Sequence, residues 1–174
     1  DRGGDSGAIA TANYTARKYG VKSGIPIVFA KKRLEERKDA VFLPVDFDYY
    51  FEMSEKAMKI MESDADIFEY VGKDEAYLDV TKRVEGDYKK ASHLAQQIKN
   101  SIRDQVKLSC SIGISPNKLI SKIASDFQKP DGLTIVSPEK INEFLEPLEI
   151  RAIPGIGKKT ENKFSEMNLK TIQD

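Results

Sequence analysis

The chain has 174 residues, 40% apolar and 32% charged, and its 28 Lys and Arg balance 28 Asp and Glu to a formal net charge of zero. That composition suits a globular protein of one domain with an appendage, long enough to bury a core. No apolar run approaches membrane-spanning length and nothing resembles a signal peptide, so a cytoplasmic location with no membrane partner is expected. The charges are unevenly spread: residues 1–40 carry nine Lys or Arg against five acids, 41–116 carry ten against fourteen, and 117–174 carry nine against nine. A basic segment ahead of an acidic one is what a phosphate-holding element beside a metal-holding element would look like.

The basic segment opens with Gly3, Gly4, Ser6 and Gly7, a flexible start. A helix is expected from about Ala12 to Tyr19, stopped by Gly20. Thr11, Tyr14 and Arg17 recur at i, i+3 and i+6, placing a hydroxyl, a phenol and a guanidinium on one face, with Thr11 at the N-terminal end where free N–H groups favour an anion. A triphosphate suits this face, and so does a solvated amphipathic helix capped by Thr11. Lys22 to Pro26 reads as a turn, and Ile27 to Lys32 restarts order before the charge run Lys31 to Asp39, expected to be a solvated helix face.

Val41-Phe42-Leu43-Pro44 predicts a short strand ended by proline. Asp46 then caps a helix in which Tyr50, Met53, Ala57 and Ile60 or Met61 repeat with helical spacing. Asp46 and Asp48 are thereby explained as acids at a helix N-terminus. Next, Ile67 to Gly72 and Ala76 to Val80 read as two strands meeting near Gly72 and Lys73. Between them lie Asp74 and Glu75, adjacent carboxylates that repel each other and lose hydration inside an apolar strand pattern. A divalent cation is their natural partner, since Mg²⁺ takes hard oxygen ligands from one or two carboxylates plus substrate phosphates. A surface turn with two solvated acids is the plainer alternative.

A long amphipathic helix is expected from about Tyr88 to Gln105, with Leu94, Ile98 and Ile102 as its core stripe. The only histidine, His93, lies in it with no Cys or second His nearby, which leaves zinc or a histidine triad without ligands. The single Cys110 cannot form an intrachain disulfide, and the alternation from Leu108 to Ile114 predicts a small buried hydrophobe in a strand. Ser115-Pro116 then reads as cap and first residue of a helix with Leu119, Ile120, Ile123, Ala124 and Phe127 inward. Lys118, Lys122 and Lys129 form a basic stripe, expected to be solvated, running to the Lys129-Pro130-Asp131-Gly132 turn. Finally, Ile153-Pro154-Gly155-Ile156-Gly157-Lys158-Lys159, between helical segments, fits a helix-hairpin-helix: its glycines let the backbone approach a phosphate, with Lys158 and Lys159 adding charge.

Taken in order, Ser6 to Tyr14, Ala16-Arg17-Lys18, Gly24-Ile25-Pro26, Asp74 to Asp79, Gly113 to Lys118, Lys129 to Gly132 and the Pro-Gly-Ile-Gly hairpin resemble the Y-family lesion-bypass DNA polymerases of the archaeal and bacterial polymerase IV type. The resemblance covers essentially the whole chain. It implies an α+β fold: fingers at 1–45, a ferredoxin-like palm at 46–136 lacking its first strand, and a truncated helical thumb at 137–174 carrying the helix-hairpin-helix. It makes Asp74 and Glu75 the catalytic, metal-binding carboxylates. Thr11, Tyr14, Arg17 and Lys129 would contact the triphosphate of the incoming dNTP, and Gly155, Gly157, Lys158 and Lys159 the DNA backbone. Two Mg²⁺ ions, replaceable by Mn²⁺, would support in-line displacement of pyrophosphate from the primer terminus. The implied partners are primer-template DNA and a sliding clamp reached through a C-terminal region absent here, with the protein a monomer. Another metal-binding Asp is expected upstream of Asp1; Val45 to Tyr50 mimics that strand but precedes a helix and is assigned no metal. Two alternatives remain open: a noncatalytic DNA-binding module using the hairpin and basic faces, and another palm-fold nucleotidyltransferase or cyclase.

Overall fold

The computed structural model describes residues 6–174, so Gly3 and Gly4 of the expected flexible start lie outside the described residues. The chain divides into two compact units, one ending at Tyr50 and the other spanning Phe51–Asp174.

In the first unit, helix α1 is short (Tyr14–Lys18), because Asn13 adopts extended backbone and its Oδ1 accepts the Ala16 N–H at 2.8 Å. The expected start at Ala12 is thus displaced by an Asn cap, and Thr11 falls outside the helix. Gly20 turns the chain with φ 77°, a left-handed conformation that disfavours other residues. Ile9 and the 24–25 turn then exchange backbone hydrogen bonds, Ile9 N–H to Ile25 O at 2.9 Å and Gly24 N–H to Ile9 O at 2.8 Å. Helix α2 (Ile27–Arg33) follows Pro26 and buries Ile27 and Ala30, and Val21 ahead of it is buried too. The charge run is not one helix face: α2 stops at Arg33, and Arg37 instead clamps both oxygens of Asp39 at 2.9 and 2.7 Å and donates to the Tyr19 hydroxyl at 2.8 Å. Nor do residues 41–44 form a strand. Val41 and Leu43 are exposed, and no strand among the described residues offers them a ladder.

Helix α3 (Phe47–Ser63) begins as expected, with the Tyr49 N–H donating to Asp46 Oδ1 at 3.0 Å. Strands β1 (Ile67–Gly72) and β2 (Glu75–Asp79) form an antiparallel hairpin that sets Phe68 opposite Leu78 and Gly72 opposite Glu75, with a slip in register after Tyr70. Helix α4 (Tyr88–Val106), capped by Asp87, places Ile98, Ile102 and Val106 against Met53 and Ala57 of α3, Leu78 of β2 and Ile112. Strand β3 (Ile112–Ile114) runs parallel to β4 (Leu133–Ile135), joined through helix α5 (Lys118–Phe127). This is a right-sized βαβ crossover, and the described strands pair as two separate two-stranded sheets.

Three local expectations differ from the structure. Asn117, not Ser115, caps α5 by accepting the Ile120 N–H at 3.0 Å. Leu119 and Phe127 face outward, 53% and 55% exposed, whereas Ile120, Ile123 and Ala124 are buried, so the apolar stripe is narrower than the sequence pattern. Cys110 lies before β3, half-buried. A second core joins Ile120, Ala124 and Val136 to Phe144 and Leu145 of helix α6 (Ile141–Leu145). A single 3₁₀ turn (Ile150–Ala152), rather than an α-helix, then precedes the glycine hairpin, and helix α7 (Lys158–Glu166) follows it. The mixed α and β class and the C-terminal helical element agree with the sequence.

Candidate functional site

The acidic pair sits at the tip of the β1–β2 hairpin. Asp74 is in the turn, Glu75 opens β2, and both are exposed. The expected loss of hydration therefore does not occur, and two carboxylates reach solvent side by side. The tip is held from beneath: the buried Ser54 of α3 donates its hydroxyl to the Lys73 carbonyl. From the side, α5 supplies cations at helical spacing. Lys118 pairs with Glu69 and lies 5.6 Å from the Tyr77 ring centroid, and Lys122 pairs with Glu75. Lys122 also lies 3.5 Å from Asp126, which in turn pairs with Lys129 at 2.5 Å. The basic stripe expected to be solvated is thus a chain of ion pairs running from the hairpin to the Lys129–Gly132 turn.

The electrostatics follow from that chain. Burial of the Lys122 ammonium works against its charge, but Glu75 and Asp126 outweigh it and raise the pKa. For Asp126, burial pushes the carboxyl up, and the Lys129 and Lys122 ammonium groups overcome it and hold the group below the usual range. Sequence reasoning did not single out Ser54, Lys122 or Asp126 as part of the site. The signal available was the Lys118, Lys122, Asp126 series at i, i+4 and i+8, one face of a helix.

Close packing fixes where α5 lies. A Cβ on Gly113 of β3 would stand 2.1 Å from the Ser121 carbonyl oxygen and 2.5 Å from the Ser125 nitrogen, and one on Gly132 would stand 2.4 Å from the Gln128 carbonyl oxygen. The turn bearing Lys129 is further tied by the buried Lys99 of α4, which donates to the carbonyls of Cys110 and Asp131 at 2.6 and 2.9 Å and to Asp131 Oδ1 at 2.5 Å. Lys99 holds the exposed Asp131 carboxyl below its ordinary range, while burial pushes the Cys110 thiol up.

In the first unit, Thr11, Tyr14 and Arg17 are all exposed. The Arg17 guanidinium stacks 4.8 Å from the Tyr14 ring centroid and its Nε donates to the Ala12 carbonyl at 2.9 Å. Tyr14 and Arg17 therefore act as a pair, as their spacing predicts. Thr11 precedes the Asn13 cap, so the argument from helix N–H groups does not apply to it. In the C-terminal hairpin, Gly155 adopts φ 91° and Gly157 is the N-cap of α7 with no side chain closing the helix end. Lys158 and Lys159 occupy the first two helical positions and are exposed. An uncapped helix N-terminus flanked by lysines is a geometry that accepts a phosphate.

Among the described residues no three His, Cys, Asp or Glu side chains gather as a metal cage. The donor set at the hairpin tip nonetheless fits a hard divalent cation, because both side chains are carboxylates, both are solvent-facing, and Mg²⁺ completes its shell with water and substrate oxygens.

Residues 2–126 match the impB/mucB/samB family, and residues 138–169 match the helix-hairpin-helix motif of the same family. DNA polymerase IV of Nitrosopumilus maritimus is 86% identical over all 174 residues, which cover 48% of that protein; DNA polymerase IV of Metallosphaera sedula is 44% identical over 98% of the chain and 48% of its own length. A crystal structure of DinB from Sulfolobus solfataricus superposes with a TM-score of 0.92 at 39% identity, over 98% of this chain and 49% of that one. An insertion ternary complex of Dbh DNA polymerase gives 0.90 at 39% identity, over 98% and 48%. The chain spans about half the length of the curated relatives it matches. On these sequence and structural grounds, the chain belongs to the impB/mucB/samB family, the Y-family DNA polymerases.

Proposed function

We propose that this chain is the catalytic portion of a template-directed DNA polymerase of the lesion-bypass type, acting in DNA damage tolerance in the cytoplasm. The observation that carries the reading is the solvent-facing Asp74 and Glu75 pair on a hairpin whose tip and flank are both pinned. Residues 1–45 act as fingers, 46–136 as palm and 137–174 as thumb. Asp74 and Glu75 hold Mg²⁺, with Mn²⁺ as substitute. A divalent ion held by these carboxylates would supply charge that lowers the pKa of a primer 3′-hydroxyl and offsets the charge of the triphosphate.

Tyr14, Arg17 and Thr11 orient the triphosphate of the incoming dNTP. Arg17, pre-stacked on Tyr14, presents a guanidinium to the phosphates with little ordering left to do. Lys129 releases Asp126 and neutralises charge on departing pyrophosphate. Gly155, Gly157, Lys158 and Lys159 hold the duplex by its backbone, which suits an enzyme that accepts any sequence. Primer-template DNA and dNTP are the substrates, and a sliding clamp is engaged outside these 174 residues by an otherwise monomeric protein.

The test is primer extension by the intact protein, compared with Asp74→Ala. Extension should fall by at least about a thousandfold, the scale expected when charge stabilisation at the transition state is lost; unchanged extension would remove the metal assignment. A noncatalytic DNA-binding module is the second reading, favoured by the uncapped, lysine-flanked start of α7. It requires DNA binding with no extension, even by the unsubstituted protein.

A further inference from the structure

Lys99 is the one lysine among the described residues whose side chain is buried, at 6% exposure for the residue. A buried ammonium costs several kcal/mol to desolvate unless acceptors surround it. Here four do: the carbonyls of Cys110, Asp131 and Gly132, at 2.6, 2.9 and 3.3 Å, and Asp131 Oδ1 at 2.5 Å. Two of those carbonyls and the carboxylate belong to one turn, Lys129–Gly132, and the same turn is gripped from the other side by Ser111, whose Oγ accepts the Gly132 N–H at 3.1 Å. Asp131 itself has φ 57°, a left-handed conformation that a polar tether helps to hold. The ammonium therefore closes a loop of chain onto the middle of α4, and among the exposed residues of this turn, Lys129, Pro130 and Asp131, Lys129 supplies the cation.

We propose that Lys99 is a positioning residue for nucleotide binding: it fixes the Lys129–Gly132 turn so that the Lys129 ammonium stands ready for the triphosphate. The inference rests on the polymerase reading above and adds to it a residue that touches neither substrate nor metal. A neutral side chain of similar length leaves the Asp131 carboxylate and the carbonyls of Cys110 and Asp131 without this donor, while Gly132 keeps the Ile112 N–H, and the Lys129–Asp131 part of the turn relaxes toward solvent, carrying Lys129 with it. Affinity for dNTP should suffer, and affinity for primer-template should not.

Steady-state primer extension with the intact protein tests this through KM for dNTP, kcat and KM for DNA in four proteins: unsubstituted, Lys99→Met, Lys129→Ala and the double variant. Lys99→Met should raise KM for dNTP about tenfold or more, the scale of a small misplacement of a binding group, with KM for DNA within about twofold. In the Lys129→Ala background the same change should raise KM for dNTP by less than about twofold, because two residues acting through one contact are not additive. Asp131→Asn is the variant that keeps the fold if Lys99→Met does not, since Asn tolerates the left-handed backbone and removes only the charge; it should raise KM for dNTP in the same direction by a smaller factor. Full additivity of Lys99→Met and Lys129→Ala, or an Asp131→Asn enzyme with unaltered KM for dNTP, overturns the positioning role. If Lys129→Ala alone leaves KM for dNTP unchanged, the assignment of Lys129 to the triphosphate fails, and the proposal falls with it; loss of extension on Asp74→Ala tells that failure apart from failure of the polymerase reading itself.

Discussion

Replacing Gly113 by Ala adds one methyl group where, among the described glycines, an added Cβ would meet its nearest neighbour most closely. The new carbon would lie 2.1 Å from the Ser121 carbonyl oxygen, 2.5 Å from the Ser125 nitrogen and 2.8 Å from the Ala124 Cβ. Two of these neighbours are backbone atoms in the middle of α5, so no rotamer change relieves the overlap. The helix must retreat by about 1 Å, opening the packing of Ile120 and Ala124 on Val136. Overpacking of this kind costs about 1–3 kcal/mol, and with backbone on both sides the expected value is at the upper end, about 3 kcal/mol. For a chain of this size that lowers Tm by roughly 10 °C. The protein has no Trp, so far-ultraviolet circular dichroism is the assay, with urea unfolding at fixed pH giving the free energy and thermal melting the midpoint. A change below about 0.5 kcal/mol, the range of an ordinary surface substitution, would refute the close approach of α5 to β3 and with it the account of how Lys118 and Lys122 reach the hairpin.

Asn117→Ala removes the side chain that starts α5 and should cost about 1 kcal/mol in urea unfolding, whereas Ser115→Ala should cost less because Ser115 does not cap. Asp131 is held below its ordinary carboxylate range by Lys99; a depressed folded pKa contributes stability that is complete above the unfolded value of about 3.9 and is lost as pH falls through the lower folded one. Urea midpoints followed from pH 7 to pH 2 should therefore drop below about pH 4, and drop less steeply in Asp131→Asn. Cys110, with its thiol pKa raised by burial, should react with iodoacetamide at pH 7.5 more slowly than a free thiol and reach the free rate in denaturant; a native rate equal to the denatured one would contradict its burial. Lys158→Ala with Lys159→Ala should weaken duplex binding and reduce its salt dependence by about two phosphate contacts, as read by fluorescence anisotropy at several salt concentrations.

The long elements were legible because their periodicity is strong. Residues 88–106 carry a clean apolar stripe at helical spacing, and 67–79 alternate around a Gly-Lys turn, so α4 and the hairpin appear where expected. What failed was decided by single side chains or by distant partners. Asn13 and Asn117 took capping positions from Thr11 and Ser115, since Asn competes for helix N–H groups at least as well. Residues 41–44 have the composition of a strand, but a strand exists only by pairing, and pairing is not written in the segment itself. The acidic pair was found by its oddity as charge, yet its partner Lys122 looked like any helix-surface lysine until the fold brought it to Glu75. Lys99 was hidden for the same reason: its four acceptors come from two other parts of the chain, Cys110 and the Asp131–Gly132 turn, and neither is near it in sequence.

The hydrogen bond from Ser54 to the Lys73 carbonyl gives helix α3 a hold on the hairpin tip that no residue of the hairpin can supply. Because α3 is itself seated on α4 through Met53 and Ala57, the height of the two carboxylates is referenced to the core rather than to the strands that carry them. If the two carboxylates hold a divalent ion as proposed, substitutions in the α3–α4 packing, such as Met53→Ala, are expected to surface as altered metal dependence of primer extension by the intact protein before the fold is lost, and a screen for changed metal requirement should recover changes in this helix pair as often as in the acidic turn.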